Sequence, residues 1–266
     1  MSEPTALSRE ASHILLVDRC GSIVTLTLNR PHVRNAFNGA LRTRLAEALR
    51  EVQGFDDVRV IILTGAGRGF CAGADLSVDA PVDSRAELLY EYGPVLLALR
   101  NTDAVVLAAV NGAAAGIGAA LVAAADLAIM ADDASIQLAF SKIALIPDGG
   151  LTWELVRTLG RKRAYRLMIE AGRLTAAECL QLGFVNEVVP ADRLMVQTLS
   201  WAETLAQRSP LCNGLTKRAL HQAQRSSLQE AIAYEADLQQ IATRSDDCRE
   251  GVDAFLNKRS PLFTGR

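Results

Sequence analysis

Apolar positions along the chain change period several times, and each change marks an element. Thr25, Leu26, Thr27 and Leu28 alternate as in a half-buried strand. With the apolar run at 14–17 and a turn at Gly21 and Ser22, they predict a hairpin over 14–17 and 22–28. Leu41, Leu45, Leu49 and Val52 then recur at helical spacing behind Asn38, a side chain suited to an N-cap, and predict a helix ending near Gly54. The continuous apolar run at 58–64 predicts a strand covered on both faces.

The same succession returns downstream. Residues 77–84 are polar, contain Pro81 and predict a loop leading into a helix over 85–100. Strands are expected at 105–110 and 127–131, with an Ala-rich helix at 115–125 between them. From Gly149 the pattern is mostly helical, broken at Gly160, Gly172 and Gly183 and by a brief strand at 186–189. This recurrence gives an α/β class: stacked β-β-α turns of a spiral, or a doubly wound sheet, which periodicity does not separate. No charge block or low-complexity tract detaches the helical C-terminal portion, so it is expected to pack on the core or on another subunit.

Composition narrows the function classes. With 266 residues, 50% of them hydrophobic, the chain can bury a full core as one large domain, or one domain with a small appendage. A net charge of -2, from 28 basic and 30 acidic residues, gives no field suited to nucleic acid or an anionic membrane. The N-terminus MSEPTALSREASH lacks a signal-peptide pattern and the apolar stretches are short or interrupted, so a cytoplasmic protein is expected. Five scattered cysteines show no CxxC spacing and read as structural thiols. His13, His32 and His221 are isolated, so neither a metal site nor a Ser-His-Asp triad is assigned.

Candidate chemistry lies in two small-residue loops. LTGAGRGFCAGADL at 63–76 and VNGAAAGIG at 110–118 each run from an apolar strand into Gly and Ala, where a ligand can approach the backbone amides. Two such loops can aim two N–H groups at one oxygen, the arrangement that stabilises a thioester oxygen as it becomes an enolate. No Gly-Lys-Ser/Thr follows Gly65, Gly67 and Gly69, and the dinucleotide spacing is absent. In LIPDGG, Asp148 stands beside Leu145, Ile146 and Pro147; from residue chemistry alone it is an N-cap for the following helix or a desolvated acid with a raised pKa.

These segments, with LNRPHVRNAFN at 28–38, AFSKIALIPDGG at 139–150 and REGVDAFLNKRSPLFTGR at 249–266, resemble the crotonase (enoyl-CoA hydratase/isomerase) superfamily across nearly the whole chain. The last two look most like its phenylacetate-degradation branch, the 1,2-epoxyphenylacetyl-CoA isomerases, which are similar to Δ3,Δ2-enoyl-CoA isomerases. The resemblance implies a crotonase-like spiral of β-β-α turns over 1–200 and a helical trimerisation and CoA-covering region over 201–266. It implies oxyanion donors at the backbone N–H groups of Ala74 and Ile117. Both hydratase glutamate positions are apolar here, Ala120 and Phe140, which leaves Asp148 as the family's isomerase acid. The implied reaction is a 1,3-proton shift in an enoyl-CoA, or the related epoxide-to-oxepin rearrangement of an arylacetyl-CoA.

The same resemblance places CoA against Arg34, Ala36, Ala72, Asp75 and Leu76, with Lys258 and Arg259 from the tail, and puts Phe140 in the substrate site. Residues 77–95 and the loop near Trp153 are expected to shape the acyl pocket. CoA belongs to the substrate, so no separate cofactor is implied, and the family assembles as trimers or hexamers. Alternatives are an enoyl-CoA hydratase, and an aryl-CoA dehalogenase with Asp148 as nucleophile. The dehalogenases pair that Asp with a Trp, where Phe140 stands, and with a His, and no His lies between His32 and His221. A non-catalytic acyl-CoA-binding or RNA-binding homologue is the remaining class, the near-neutral charge opposing RNA.

Overall fold

The computed structural model describes residues 13–77 and 83–266; most of the polar N-terminal segment and most of the loop expected at 77–84 lie outside the described residues. Strands β1 (Leu15–Cys20) and β2 (Ile23–Leu28) form the antiparallel hairpin, Leu15 opposite Leu28 and Cys20 opposite Ile23. Helix α1 (Gly39–Gln53) starts at Asn38, whose side chain accepts from the Leu41 N–H, and buries Leu41, Leu45, Ala48, Leu49 and Val52. Each buried leucine on that stripe stabilises the fold by about 1.5–3 kcal/mol.

A two-strand unit then repeats. β3 (Val60–Gly65) is followed by β4 (Gly69–Cys71), β5 (Val105–Val110) by β6 (Ala113–Ala115), and β7 (Leu127–Ala131) by β8 (Ser135–Gln137). Helices follow each pair: α2 (Ser84–Glu87), a π turn (Leu88–Tyr92) and α3 (Gly93–Asn101); then α4 (Ile117–Ala124); then α5 (Leu151–Leu159) and α6 (Arg161–Ile169). β9 (Arg173–Thr175), α7 (Ala176–Gln181) and β10 (Glu187–Val189) complete the core.

The long strands make a six-stranded sheet in the order β1-β2-β3-β5-β7-β10, and the short ones a four-stranded sheet in the order β4-β6-β8-β9. Each repeat thus gives one strand to each sheet, which is a spiral of β-β-α turns and not a doubly wound sheet. The Ala-rich helix expected at 115–125 spans Ile117–Ala124, and Ala115 instead closes β6. Gly116, at φ 52° and ψ −120°, breaks the run and delays the helix to Ile117. Trp153, expected near a loop, stands on α5 with its ring between the guanidiniums of Arg100 and Arg157, at 4.4 and 3.9 Å.

Helix α8 (Leu194–Ala206) packs on β3, β5 and β7 and runs through residue 200; α9 (Pro210–Ala223), α10 (Leu228–Thr243) and α11 (Asp246–Leu256) follow. Lys217 of α9 is 9% exposed. It donates to the Thr102 and Ala104 carbonyls and pairs with Asp126 at 2.6 Å. The Asp126 carboxylate also accepts from the Val106 N–H at 2.7 Å. Asp126 is therefore a clamp between the C-terminal helices and the sheet, because a lysine distant in sequence reaches it. Asp132 and Asp133 are exposed. Cys71 and Cys179 are buried, and burial pushes both thiols up to about 12, so they remain inert apolar groups.

Candidate active site

Asn35 builds the first loop. Fully buried, it donates to the carbonyls of Ala66, Gly69 and Phe70 and accepts from the Arg30 N–H. These bonds hold Arg34 and Asn35 in the left-handed region at φ 52° and 58°, which non-glycine residues otherwise avoid. Phe37 then donates its N–H to the Gly73 carbonyl at 2.8 Å, and its own carbonyl accepts from the Asp75 N–H at 3.3 Å. In this parallel bridge the groups used are those of residues 73 and 75. The N–H of Ala74 faces the other way and has no partner among the described residues.

The second loop ends at the N-terminus of α4. Gly116 donates to the Gln137 carbonyl at 3.2 Å, while the Ile117 N–H, in the first turn, has no partner among the described residues. The Ile117 side chain is buried, so the backbone is what it offers outward. The two loops touch. A Cβ on Gly73 would lie 3.3 Å from the Ala115 oxygen, and one on Gly116 would lie 3.7 Å from both Gly73 Cα and Phe140 Cζ. Two unpaired N–H groups, one at the positive end of a helix, therefore sit on adjoining loops.

Asp148 joins them through Gly149. At φ 60°, Gly149 packs so closely on α4 that a Cβ there would lie 2.7 Å from Ala120 Cβ and 3.2 Å from Ile117 Cδ1. The turn bearing the acid is thus seated beside the second N–H. Asp148 does not cap α5: that helix begins at Leu151 behind Gly150, with no side-chain cap. Burial raises the Asp148 pKa, its own backbone N–H opposes the rise, and the charge of Glu87 adds to it. Ala120 and Phe140, where the resemblance puts the two hydratase glutamates, are both buried and apolar.

Arg30 fastens the loop ends. It pairs with Asp75 at 2.8 Å and donates to the Ala36 carbonyl at 2.5 Å. The Ser77 hydroxyl and then Arg30 hold the Asp75 carboxyl down at about 2. Ala36 is buried, while Ala72, Leu76 and the Arg34 side chain are exposed, Arg34 without an ion pair among the described residues. At the other end of the chain, Lys258 is exposed, and Arg259 is held by Glu250 at 2.6 Å and Asp253 at 2.7 Å. Among the described residues no hydrogen bond or ion pair joins these two to the loops. No group of three or more His, Cys, Asp or Glu among the described residues is arranged to hold a metal.

Three residues beside the site carry no individual signal in the sequence, although Glu87 and Tyr92 fall within the 77–95 stretch expected to shape the acyl pocket. Arg42 of α1 pairs with Glu87 at 2.8 Å and donates to the Tyr92 hydroxyl at 2.8 Å. The π turn brings Tyr92 to the same cation as Glu87, five positions away, and helical periodicity of 3.6 does not forecast that pairing.

A family model described as enoyl-CoA hydratase/isomerase matches residues 18–266. The chain belongs to the enoyl-CoA hydratase/isomerase family, the crotonase superfamily. Within that family it is similar to the 1,2-epoxyphenylacetyl-CoA isomerase of Escherichia coli (strain K12), with 42% identity over 251 residues, 92% of this chain and 95% of that protein. A probable enoyl-CoA hydratase of Rhodobacter capsulatus is 41% identical over 256 residues, 96% of this chain and 99% of that protein. The crystal structure of an enoyl-CoA hydratase from Bacillus anthracis matches with a TM-score of 0.90 at 31% identity, covering 95% of this chain and all of that one. The protein is an enzyme of the enoyl-CoA hydratase/isomerase family, with the family's crotonase fold. No helix among the described residues is long and apolar enough to cross a membrane.

Proposed function

We propose that this enzyme is an acyl-CoA isomerase in which Asp148 carries the proton. The observation behind this reading is the seat of Asp148: a desolvated carboxylate on a turn packed against Ile117, with no second carboxylate at positions 120 and 140. A hydratase needs one group to position water and another to deliver a proton. A 1,3-proton shift needs one base that gives back what it takes.

The thioester carbonyl oxygen accepts from the Ala74 and Ile117 N–H groups. Asp148 removes a proton from C2 of a 3-enoyl-CoA, the electron pair moves into a dienolate whose charge rests on that oxygen, and the same proton returns at C4 to give the 2-enoyl-CoA. Nothing is oxidised or reduced. Losing one oxyanion donor of this kind costs about 2.7–4 kcal/mol in comparable enzymes. With an arylacetyl-CoA epoxide the same oxyanion site serves the epoxide-to-oxepin rearrangement, the reaction class closest to the name of the relative from Escherichia coli.

CoA lies, in this reading, along the Arg30–Asp75 loop, with Arg34 toward a phosphate and the rim formed by Ala36, Ala72 and Leu76; Phe140 lines the acyl site, and Lys258 and Arg259 approach from the tail. The assembly is a trimer or a hexamer, which covers the exposed Ile232, Val252, Phe255 and Leu256 of the C-terminal helices. The test is deuterium exchange in D₂O followed by NMR, with 3-enoyl-CoA and 2-enoyl-CoA. Double-bond migration that disappears in Asp148→Asn supports the reading, and near wild-type turnover in that variant overturns it.

A further inference from the structure

Tyr92 stands where three parts of the site meet. It is 6% exposed. Its ring lies 5.9 Å from that of Phe37, the residue whose backbone holds the Ala74 loop. One turn further along α3, Leu96 lies against Gly149, 3.4 Å from where a Cβ would be, so the face bearing Tyr92 and Leu96 is turned to the Asp148 segment. Arg42 covers the Tyr92 ring at 4.4 Å and donates Nη1 to the phenol oxygen at 2.8 Å. Arg42 is itself fixed by Glu87 at 2.8 Å and Glu91 at 2.6 Å.

The hydrogen-bond inventory of this phenol is incomplete. A phenol accepts through its oxygen and donates one proton. Arg42 meets the accepting side, and among the described residues no group accepts the proton. Glu87 and Glu91 are turned to Arg42, and Asp148 is not within hydrogen-bonding distance of Tyr92. A cation donating to the oxygen polarises the O–H and strengthens it as a donor. Burial meanwhile pushes the phenol above its ordinary pKa, so it keeps that proton at neutral pH. Buried donors in folded proteins are normally paired, and this phenol lies on the ring that packs against Phe37 of the Ala74 bridge, near enough to Asp148 to feel its charge.

We propose that Tyr92 donates a hydrogen bond to an oxygen on the acyl group, so that the site prefers CoA thioesters whose acyl part carries an ether, epoxide or carbonyl oxygen. The proposal rests on the acyl-CoA reading above and sharpens its substrate class. Arg42 is a positioning residue in it: it touches the phenol and not the substrate.

The experiment compares dissociation constants of unreactive probes by calorimetry: hexanoyl-CoA and its ether isosteres, with oxygen replacing the methylene at C3, C4 or C5. One isostere is expected to bind wild-type protein about tenfold more tightly than hexanoyl-CoA, the size of one good hydrogen bond. In Tyr92→Phe that ratio falls to about one. Equal binding of all four probes to the wild type overturns the proposal, and so does a Tyr92→Phe variant that keeps the preference. If Tyr92→Phe weakens every probe by the same factor, the residue is packing and the proposal is overturned. Failure of all four to bind the wild type overturns the acyl-CoA reading along with it, whereas binding without an ether preference overturns this inference alone.

Discussion

Every residue of β3 and β5 in the six-stranded sheet is buried, and their runs of Val, Ile, Leu and Ala are held by side-chain packing on both faces. The strands of the four-stranded sheet are three residues long, and β4 and β6 are placed by how closely backbones approach. A Cβ on Gly112 would lie 2.3 Å from the Arg68 oxygen, and one on Gly118 would lie 2.4 Å from the Cys71 oxygen. The first sheet is a volume that several apolar residues could fill. The second is a contact that admits glycine, and both unpaired N–H groups sit next to it.

The largest effect that can break this comparison is chemical. Asp148→Asn is expected to lower isomerase turnover by about 10²–10⁴-fold with little change in melting temperature, since positioned proton transfer is worth that much. Leu63→Ala, in the middle of β3, is expected to cost about 2–5 kcal/mol in denaturant titrations, because a large buried side chain leaves a cavity. Turnover per folded molecule should stay near wild type. Gly118→Ala is expected to remove that split. Overpacking costs about 1–3 kcal/mol, and the displaced loop should reduce turnover per folded molecule as well. If Gly118→Ala destabilises without touching turnover, the two sheets do not divide the work.

Acid titration separates two carboxylates by sign. In the proposed reaction the ionised Asp148 is the active base; its pKa is raised, so that form fills in only as pH climbs through the raised value, and the acid limb of kcat/KM should lie above the ordinary aspartate value. Asp75 is held at about 2 by Ser77 and Arg30. Its stabilising contribution is fully present above the unfolded value of 3.8 and disappears as pH falls toward 2. Stability curves of Asp75→Asn and wild type should therefore converge in that acid window. The smallest effect is at Arg34: Arg34→Ala is expected to weaken CoA affinity by about two- to fivefold, the scale of an exposed ion pair, and more weakly still in high salt.

Legibility in the sequence follows the same division. The hairpin, α1 and β7 are readable because alternation, a helical stripe and an apolar run act over five or more residues. The four-stranded sheet is not, since three residues such as Gly69–Cys71 contain no period, and β6 lies within the small-residue loop expected at 110–118. The loops themselves stood out through their glycines. Asp148 was legible as an acid among apolar neighbours, but only the turn at Gly149 and Gly150 shows that it does not cap α5. Arg42, Glu87 and Tyr92 come from two helices and meet through a π turn, and Lys217 meets Asp126 from far along the chain, contacts that local pattern does not encode.

The unpaired donors of Ala74 and Ile117 belong to the peptide backbone, and no codon specifies a peptide N–H. A substitution that keeps the path of the loops keeps these donors, although the buried Ile117 side chain must still fit against Gly149. On the reading proposed above, the reaction can then vary through a few residues on neighbouring turns, such as 120, 140 and 148. Relatives at 34–42% identity that bear the names of an isomerase and of hydratases are what such a division permits. On the proposed reading, what the fold must keep is curvature, and what it can exchange is acidity.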